Sequence, residues 1–109
     1  MTRREITVDE LQRRLEAGDK PLLVDVRQPW EHDLARLPDS QLVPLPELAA
    51  RTAEVRPRPG QLVVCYCHHG VRSLRAAELL LHAGLREVVS LAGGIDAWSL
   101  QIDPSVPRY

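Results

Sequence analysis

Residues 61–84 read Gln61-Leu62-Val63-Val64-Cys65-Tyr66-Cys67-His68-His69-Gly70-Val71-Arg72-Ser73-Leu74-Arg75-Ala76-Ala77-Glu78-Leu79-Leu80-Leu81-His82-Ala83-Gly84. The first part, 61–67, is apolar, rich in β-branched and aromatic residues, and comes after the turn signal Pro59-Gly60. It predicts a buried strand. Leu74, Ala77, Leu80 and Leu81 then make a broad apolar face at helical spacing, which predicts a helix over 73–83 with Gly84 as its stop. A buried strand feeding a helix through a short loop is the repeating unit of an α/β sheet.

The flanking sequence repeats the alternation. Thr7-Val8-Asp9-Glu10 has capping-box form, Val8, Leu11 and Leu15 recur at helical spacing, and Gly18 ends the segment. Leu22-Leu23-Val24-Asp25-Val26 is a short apolar strand after Pro21. Pro29 opens a short helical segment from Trp30 to Leu34, which Pro38-Asp39-Ser40 ends. Gln41-Leu42-Val43 is another strand, and Pro46 opens a helix running to about Val55. Arg56-Pro57-Arg58-Pro59-Gly60 is a loop. Glu87-Val88-Val89-Ser90-Leu91 is a further buried strand, and Gly93-Gly94 turns the chain into a last short helix over 95–100. The tail, 102–109, contains Pro104 and Pro107 and is expected to be extended. The expected fold class is α/β, a mainly parallel central sheet flanked by helices on both faces.

The chain has 109 residues and a mass of 12.3 kDa, the size of one domain spanning 1–109. Hydrophobic content of 44% with 27% charged residues excludes a disordered chain. A formal charge of -1 gives no bulk attraction to nucleic acid or to an anionic membrane, so neither is an expected partner. The longest apolar runs are far too short to span a bilayer, and Met1-Thr2-Arg3-Arg4-Glu5 leads into no apolar signal segment. A cytoplasmic protein is the expectation.

Two cysteines, Cys65 and Cys67, stand one residue apart. On a regular strand they share a face, with Cα atoms about 6.5–7 Å apart, at or beyond the reach of a disulfide. Cys65, Cys67, His68 and His69 crowd together, but no second half-site accompanies them, and His32 and His82 stand alone. Neither a metal nor another cofactor is expected. His82 suits the negative end of a helix dipole, and His32 is read as solvated. Cys65 reads as core packing.

Cys67 differs because it leads directly into a strand–helix loop. That loop lies beyond the carboxyl end of a strand, where open α/β sheets bind ligands. A helix beginning near Ser73 points free amides at the sulfur, and those amides together with Arg72 favour thiolate over thiol. Gly70 lets the backbone curl so that successive amides converge on one point. Such a cradle holds an anion or a negatively charged sulfur, and Arg72 can neutralise an incoming anion. His68 and His69 are either anion or partner contacts or solvated loop residues. A papain-like Cys–His pair is disfavoured, because no third group orients either imidazole.

Tyr66-Cys67-His68-His69-Gly70-Val71-Arg72-Ser73, Leu91-Ala92-Gly93-Gly94-Ile95-Asp96-Ala97-Trp98 and Val24-Asp25-Val26-Arg27 with Trp30-Glu31 together resemble a single-domain rhodanese. The likeness runs from the first capped helix to Trp98. The ending Asp103-Pro104-Ser105-Val106-Pro107-Arg108-Tyr109 is similar to tails of rhodanese domains, alone or fused to enzymes that activate sulfur carriers. Ala35-Arg36-Leu37-Pro38-Asp39-Ser40 departs from the family's usual Gly-His-Ile-Pro-Gly-Ala turn.

The resemblance implies a sulfurtransferase of the thiosulfate type. Cys67 would take sulfur from thiosulfate or a persulfide donor, hold it as a persulfide, and pass it to a thiophilic acceptor. It makes Cys67 the nucleophile and Arg72 the anion stabiliser, with His68, His69, Gly70, Val71 and Ser73 forming the persulfide pocket. Asp25 and Arg27 end a neighbouring strand; an ion pair that fixes loops is favoured over direct contact with the site. Gly93-Gly94 is expected near the pocket and Trp98 in the core. An alternative is a relay module handing persulfide sulfur to a sulfur-carrier or other protein partner. Phosphatases and arsenate reductases resemble rhodaneses too, but they place five residues between cysteine and arginine; here there are four, His68 to Val71.

Overall fold

The computed structural model describes residues 3–109. Strands β1 (Glu5–Ile6), β2 (Leu22–Asp25), β3 (Gln41–Leu42), β4 (Val63–Tyr66) and β5 (Val88–Leu91) form one sheet in the order β1-β5-β4-β2-β3. Every pairing is parallel. The helices are α1 (Val8–Glu16), α2 (Pro29–Leu34), α3 (Leu45–Leu48), α4 (Val71–His82) and α5 (Gly94–Gln101). α1 packs with α5 on one face of the sheet, and α3 with α4 on the other. Among the described residues, no helix is long and apolar enough to cross a membrane.

The sheet is covered on both sides, so its central strands are apolar at consecutive positions. Val64 and Tyr66 pack with Ile6, Leu11, Leu91 and Trp98, whereas Val63, Cys65 and Cys67 pack with Val24, Leu48, Ala76 and Leu80. The two cysteines therefore share a face, and both are free thiols. From β2 the chain moves outward to β3, then returns to the other side of β2 as β4. The carboxyl ends of β2 and β4 meet at that reversal, the position where open α/β sheets form their binding crevice, and both motif loops begin there.

Local sequence explains most element boundaries. Thr7 Oγ1 accepts the Glu10 amide at 3.1 Å and starts α1. Pro29 opens α2, where Glu31 reaches back to accept the Gln28 amide at 3.0 Å. Four expectations are corrected. The helix expected from Pro46 to Val55 is a single turn, α3, succeeded by a 3-10 turn at Thr52–Glu54. Leu48 and Val55 both enter the core while Ala49, Ala50 and Ala53 stay exposed, so no continuous apolar stripe sustains a longer helix. α4 starts at Val71, ahead of the expected Ser73, because Gly70 at φ 105° turns the strand exit directly into the helix. β1 is an addition to the expected strands, since Ile6 is the single apolar residue in it. The tail is not simply extended: Val106 donates to the Asp103 carbonyl at 3.1 Å and is buried in the Trp98 cluster, so the chain turns back toward the crevice.

Candidate active site

Cys67 is the first residue past β4 and is 1% exposed. Its Sγ accepts hydrogen bonds from the Gly70 amide at 3.1 Å and the Ser73 amide at 3.4 Å. The Ser73 hydroxyl lies 3.4 Å from the same sulfur and 2.7 Å from the Ser90 hydroxyl on β5. Amides and a hydroxyl at the head of α4 thus converge on one atom, a site that stabilises negative charge on sulfur.

A second helix holds the loop from behind. At the head of α5, the Ile95 amide donates to the Cys67 carbonyl at 2.9 Å and the Asp96 amide to the His68 carbonyl at 3.1 Å. This approach is possible because position 94 is glycine: a Cβ there would collide with both carbonyl oxygens. Gly93-Gly94 is therefore beside the cradle, as the motif led us to expect, and Trp98 is in the core.

Arg72 has a partner that its local sequence does not reveal. Its guanidinium makes a two-pronged ion pair with Glu31 at 2.7 and 3.0 Å. Glu31 is buried to 3% exposure and also accepts the Tyr109 hydroxyl at 2.6 Å. Burial by itself would raise the Glu31 carboxyl, but hydrogen bonds from Arg72 and Tyr109 prevail and bring it down to about 2. Arg72 is raised in turn, first by its hydrogen bonds to Glu31, against the opposing effect of burial.

Asp25 and Arg27 form a fully buried pair, with Arg27 Nε and a terminal nitrogen 2.8 and 2.7 Å from the two carboxylate oxygens. Arg27 also donates to the Tyr109 hydroxyl at 2.8 Å and to the Ala35 carbonyl. The pair therefore ties β2 to the end of α2 and to the tail. His32, expected in solvent, instead has Nδ1 2.8 Å from Asp25 and an 11% exposed side chain. The short helix α2 brings it over the buried carboxylate. His82 bonds the Glu78 carbonyl near the end of α4, where a dipole-stabilised histidine was expected.

His68 and His69 stack at 4.1 Å, and His68 also stacks on the Tyr109 ring at 4.1 Å, nearly parallel at 11°. His68 Nε2 is buried without a hydrogen-bond partner, and burial, then the neighbouring His69, lowers its basicity. His69 is open to solvent, 3.9 Å from Asp96, and Val71 is exposed at the rim. Cys65 lies in the core, where burial pushes its thiol up to about 12. Among the described residues, no three His, Cys, Asp or Glu side chains gather as a metal site.

Gln28-x-x-Glu31 has capping spacing, so Glu31 could have been found from sequence as a residue turned toward its helix N-terminus. Tyr109 has no such local signal; its one mark in the sequence is its place in a tail similar to those of rhodanese domains.

The Rhodanese-like domain model matches residues 7–101, and the chain belongs to that family. It is 36% identical over 104 residues to the probable adenylyltransferase/sulfurtransferase MoeZ of Mycobacterium tuberculosis, covering 95% of this chain and 26% of that protein. It is 36% identical over 95 residues to a sulfurtransferase of Allochromatium vinosum, covering 87% of each. Several of the curated relatives are much longer, and the chain spans 26–37% of their length. The solved thiosulfate sulfurtransferase of Pseudomonas aeruginosa superposes with a TM-score of 0.80 at 31% identity, over 89% of this chain and 19% of that one.

Proposed function

We propose that the chain is a sulfurtransferase that carries sulfur as a persulfide on Cys67, with thiosulfate or a persulfide as donor. The observation that carries this reading is the convergence of the Gly70 and Ser73 amides and the Ser73 hydroxyl on Cys67 Sγ. Those donors stabilise a thiolate before reaction and a terminal sulfur anion after it. The Cys67 thiolate attacks the outer sulfur of thiosulfate, the sulfur–sulfur bond of the donor breaks, and sulfite leaves with the bonding pair. A thiophilic acceptor, cyanide in a simple assay, then attacks the terminal sulfur and returns Cys67 as thiolate. Arg72 neutralises the sulfonate end of the donor. His68, His69 and Val71 complete the loop, and Asp25 and Arg27 position its surroundings.

A four-residue spacer between Cys67 and Arg72 favours a cradle for sulfur over one for a tetrahedral phosphate. A relay to a protein acceptor is the second reading, favoured by the match to one part of a longer relative named for two activities. Incubation with thiosulfate and subsequent peptide mass spectrometry test the proposal. A gain of about 32 Da, one sulfur atom, is expected on Cys67 and not in Cys67→Ala. No gain on Cys67 overturns both sulfur readings. Cyanide and a purified sulfur-carrier protein, compared as acceptors of the labelled sulfur, separate free enzyme from relay.

A further inference from the structure

Tyr109 lies far from Cys67 in sequence, yet it touches three parts of the crevice at once. Its hydroxyl donates to Glu31 Oε2 at 2.6 Å and accepts from Arg27 at 2.8 Å. Its ring stacks on His68, next to Cys67, and meets Trp30 edge-on at 5.7 Å. Every other acceptor site of Glu31 is used: Oε1 takes Arg72 and the Gln28 amide, and Oε2 takes Arg72 beside Tyr109. The tail has its own anchor, because Val106 is buried in the core and Ser99 bonds its carbonyl.

The geometry points to Tyr109 as a positioning residue for Arg72, acting through Glu31. Without Tyr109, Oε1 has the Gln28 amide as a backbone anchor, but Oε2 has no anchor other than the guanidinium itself. A hydroxyl locked between Arg27 and Oε2 fixes the plane in which the guanidinium must lie. By donating to the carboxylate, Tyr109 also takes up part of the negative charge that would otherwise quench Arg72. The guanidinium then keeps more of its charge for an incoming anion. The buried Asp25–Arg27 pair has a use in this arrangement, since it orients the Tyr109 hydroxyl. Tyr109 touches no reacting atom, and its effect reaches anions only through Arg72.

The inference rests on Cys67 and Arg72 being the reacting pair, but its test uses no sulfur transfer. Alkylation of Cys67 is monitored by mass spectrometry with iodoacetate, an anion, and with neutral iodoacetamide. In Tyr109→Phe, which keeps the ring, the ratio of the iodoacetate to the iodoacetamide rate should fall about threefold, with the neutral rate little changed. Arg72→Gln should lower the ratio further, and adding Tyr109→Phe to it should change nothing more. An unchanged ratio in Tyr109→Phe overturns the proposal, as does an equal change in both rates. Full additivity in the double variant does so too. Nitrogen-detected NMR of the Arg72 guanidinium gives a second readout, with signals that broaden in Tyr109→Phe; identical signals count against the inference. A failed thiosulfate labelling with the ratio still shifted would sink the sulfur reading and leave this one standing.

Discussion

Gly94 stands directly against Cys67: at φ 62°, it leaves no room for a Cβ beside the Cys67 and His68 carbonyl oxygens. Because the backbones meet, the first free amides of α5 close on those carbonyls while the amides of α4 close on the sulfur. The Cys67 loop is thus fixed from two helices, one for each side of its backbone.

Gly94→Ala should therefore be severe. The new methyl meets backbone, which cannot swing away, in a conformation that L-residues avoid. A loss of about 3 kcal/mol or more in urea unfolding is expected, with Cys67 alkylation altered in whatever remains folded. Gly70→Ala meets its neighbours at 3.3 Å and should cost less. A Gly94→Ala protein that melts with the parent would show that the two helices do not need this contact.

The serine pair below the sulfur separates chemistry from stability. Ser73 touches Cys67, whereas Ser90 mainly gives the Ser73 hydroxyl a buried partner at 2.7 Å. Ser73→Ala should slow persulfide formation about tenfold by removing a donor to the charged sulfur. Ser90→Ala should cost about 1–2 kcal/mol of stability with a smaller kinetic effect. Stopped-flow thiosulfate kinetics beside thermal melts distinguish them; a reversed order would mean that Ser90 sets the thiolate.

Much of this site is legible in the sequence. Cys67, Gly70 and Arg72 fall inside one strand–loop–helix segment, where local spacing dictates spatial neighbourhood, and the parity of Cys65 and Cys67 comes from the strand period alone. Glu31, Ser90 and Tyr109 come from three other segments: Glu31 and Tyr109 meet Arg72 across the switch of strand order between β2 and β4, and Ser90 comes from β5, paired with β4 on its other side. No local pattern encodes that. The helix after Pro46 is shorter than its sequence suggests for a related reason: propensity favours its continuation, but the burial of Leu48 and Val55 decides its length.

Glu31 makes stability depend on acid in a defined window. Its folded value, about 2, is below its ordinary value of 4.5, so the folded state favours the carboxylate. The resulting stabilisation is complete above about pH 5, fades as pH falls, and is gone below about pH 2, a total of about 3 kcal/mol. Glu31→Gln should be less stable than the parent at neutral pH, and the gap should close on acidification through that window. Urea titrations from pH 2 to 7 measure it. A gap that stays constant with pH would place the cost in packing rather than in the Arg72 pair.

Asp39 supplies the last prediction, and it explains the departure from the family turn. Among the described residues, it is the only non-glycine with positive φ, 59°, where the Gly-His-Ile-Pro-Gly-Ala pattern has its second glycine. Around it, Ser40 Oγ donates to the Leu37 carbonyl at 2.8 Å and lies 2.8 Å from the Tyr66 hydroxyl, which accepts the Leu37 amide at 3.2 Å. These bonds hold the backbone in the left-handed region whatever residue occupies it. Aspartate tolerates that region better than most residues, and glycine better still. Asp39→Gly should therefore raise stability by about 0.5 kcal/mol, the relief of strain exceeding the entropy glycine adds to the unfolded chain. Asp39→Val should lower it by about 1–2 kcal/mol, since a β-branched side chain suffers most at positive φ. Both leave the Cys67 cradle untouched, so thiosulfate labelling should match the parent while the melting points move in opposite directions. Equal melting points for the glycine and valine variants would mean that the turn does not hold position 39 in the left-handed region.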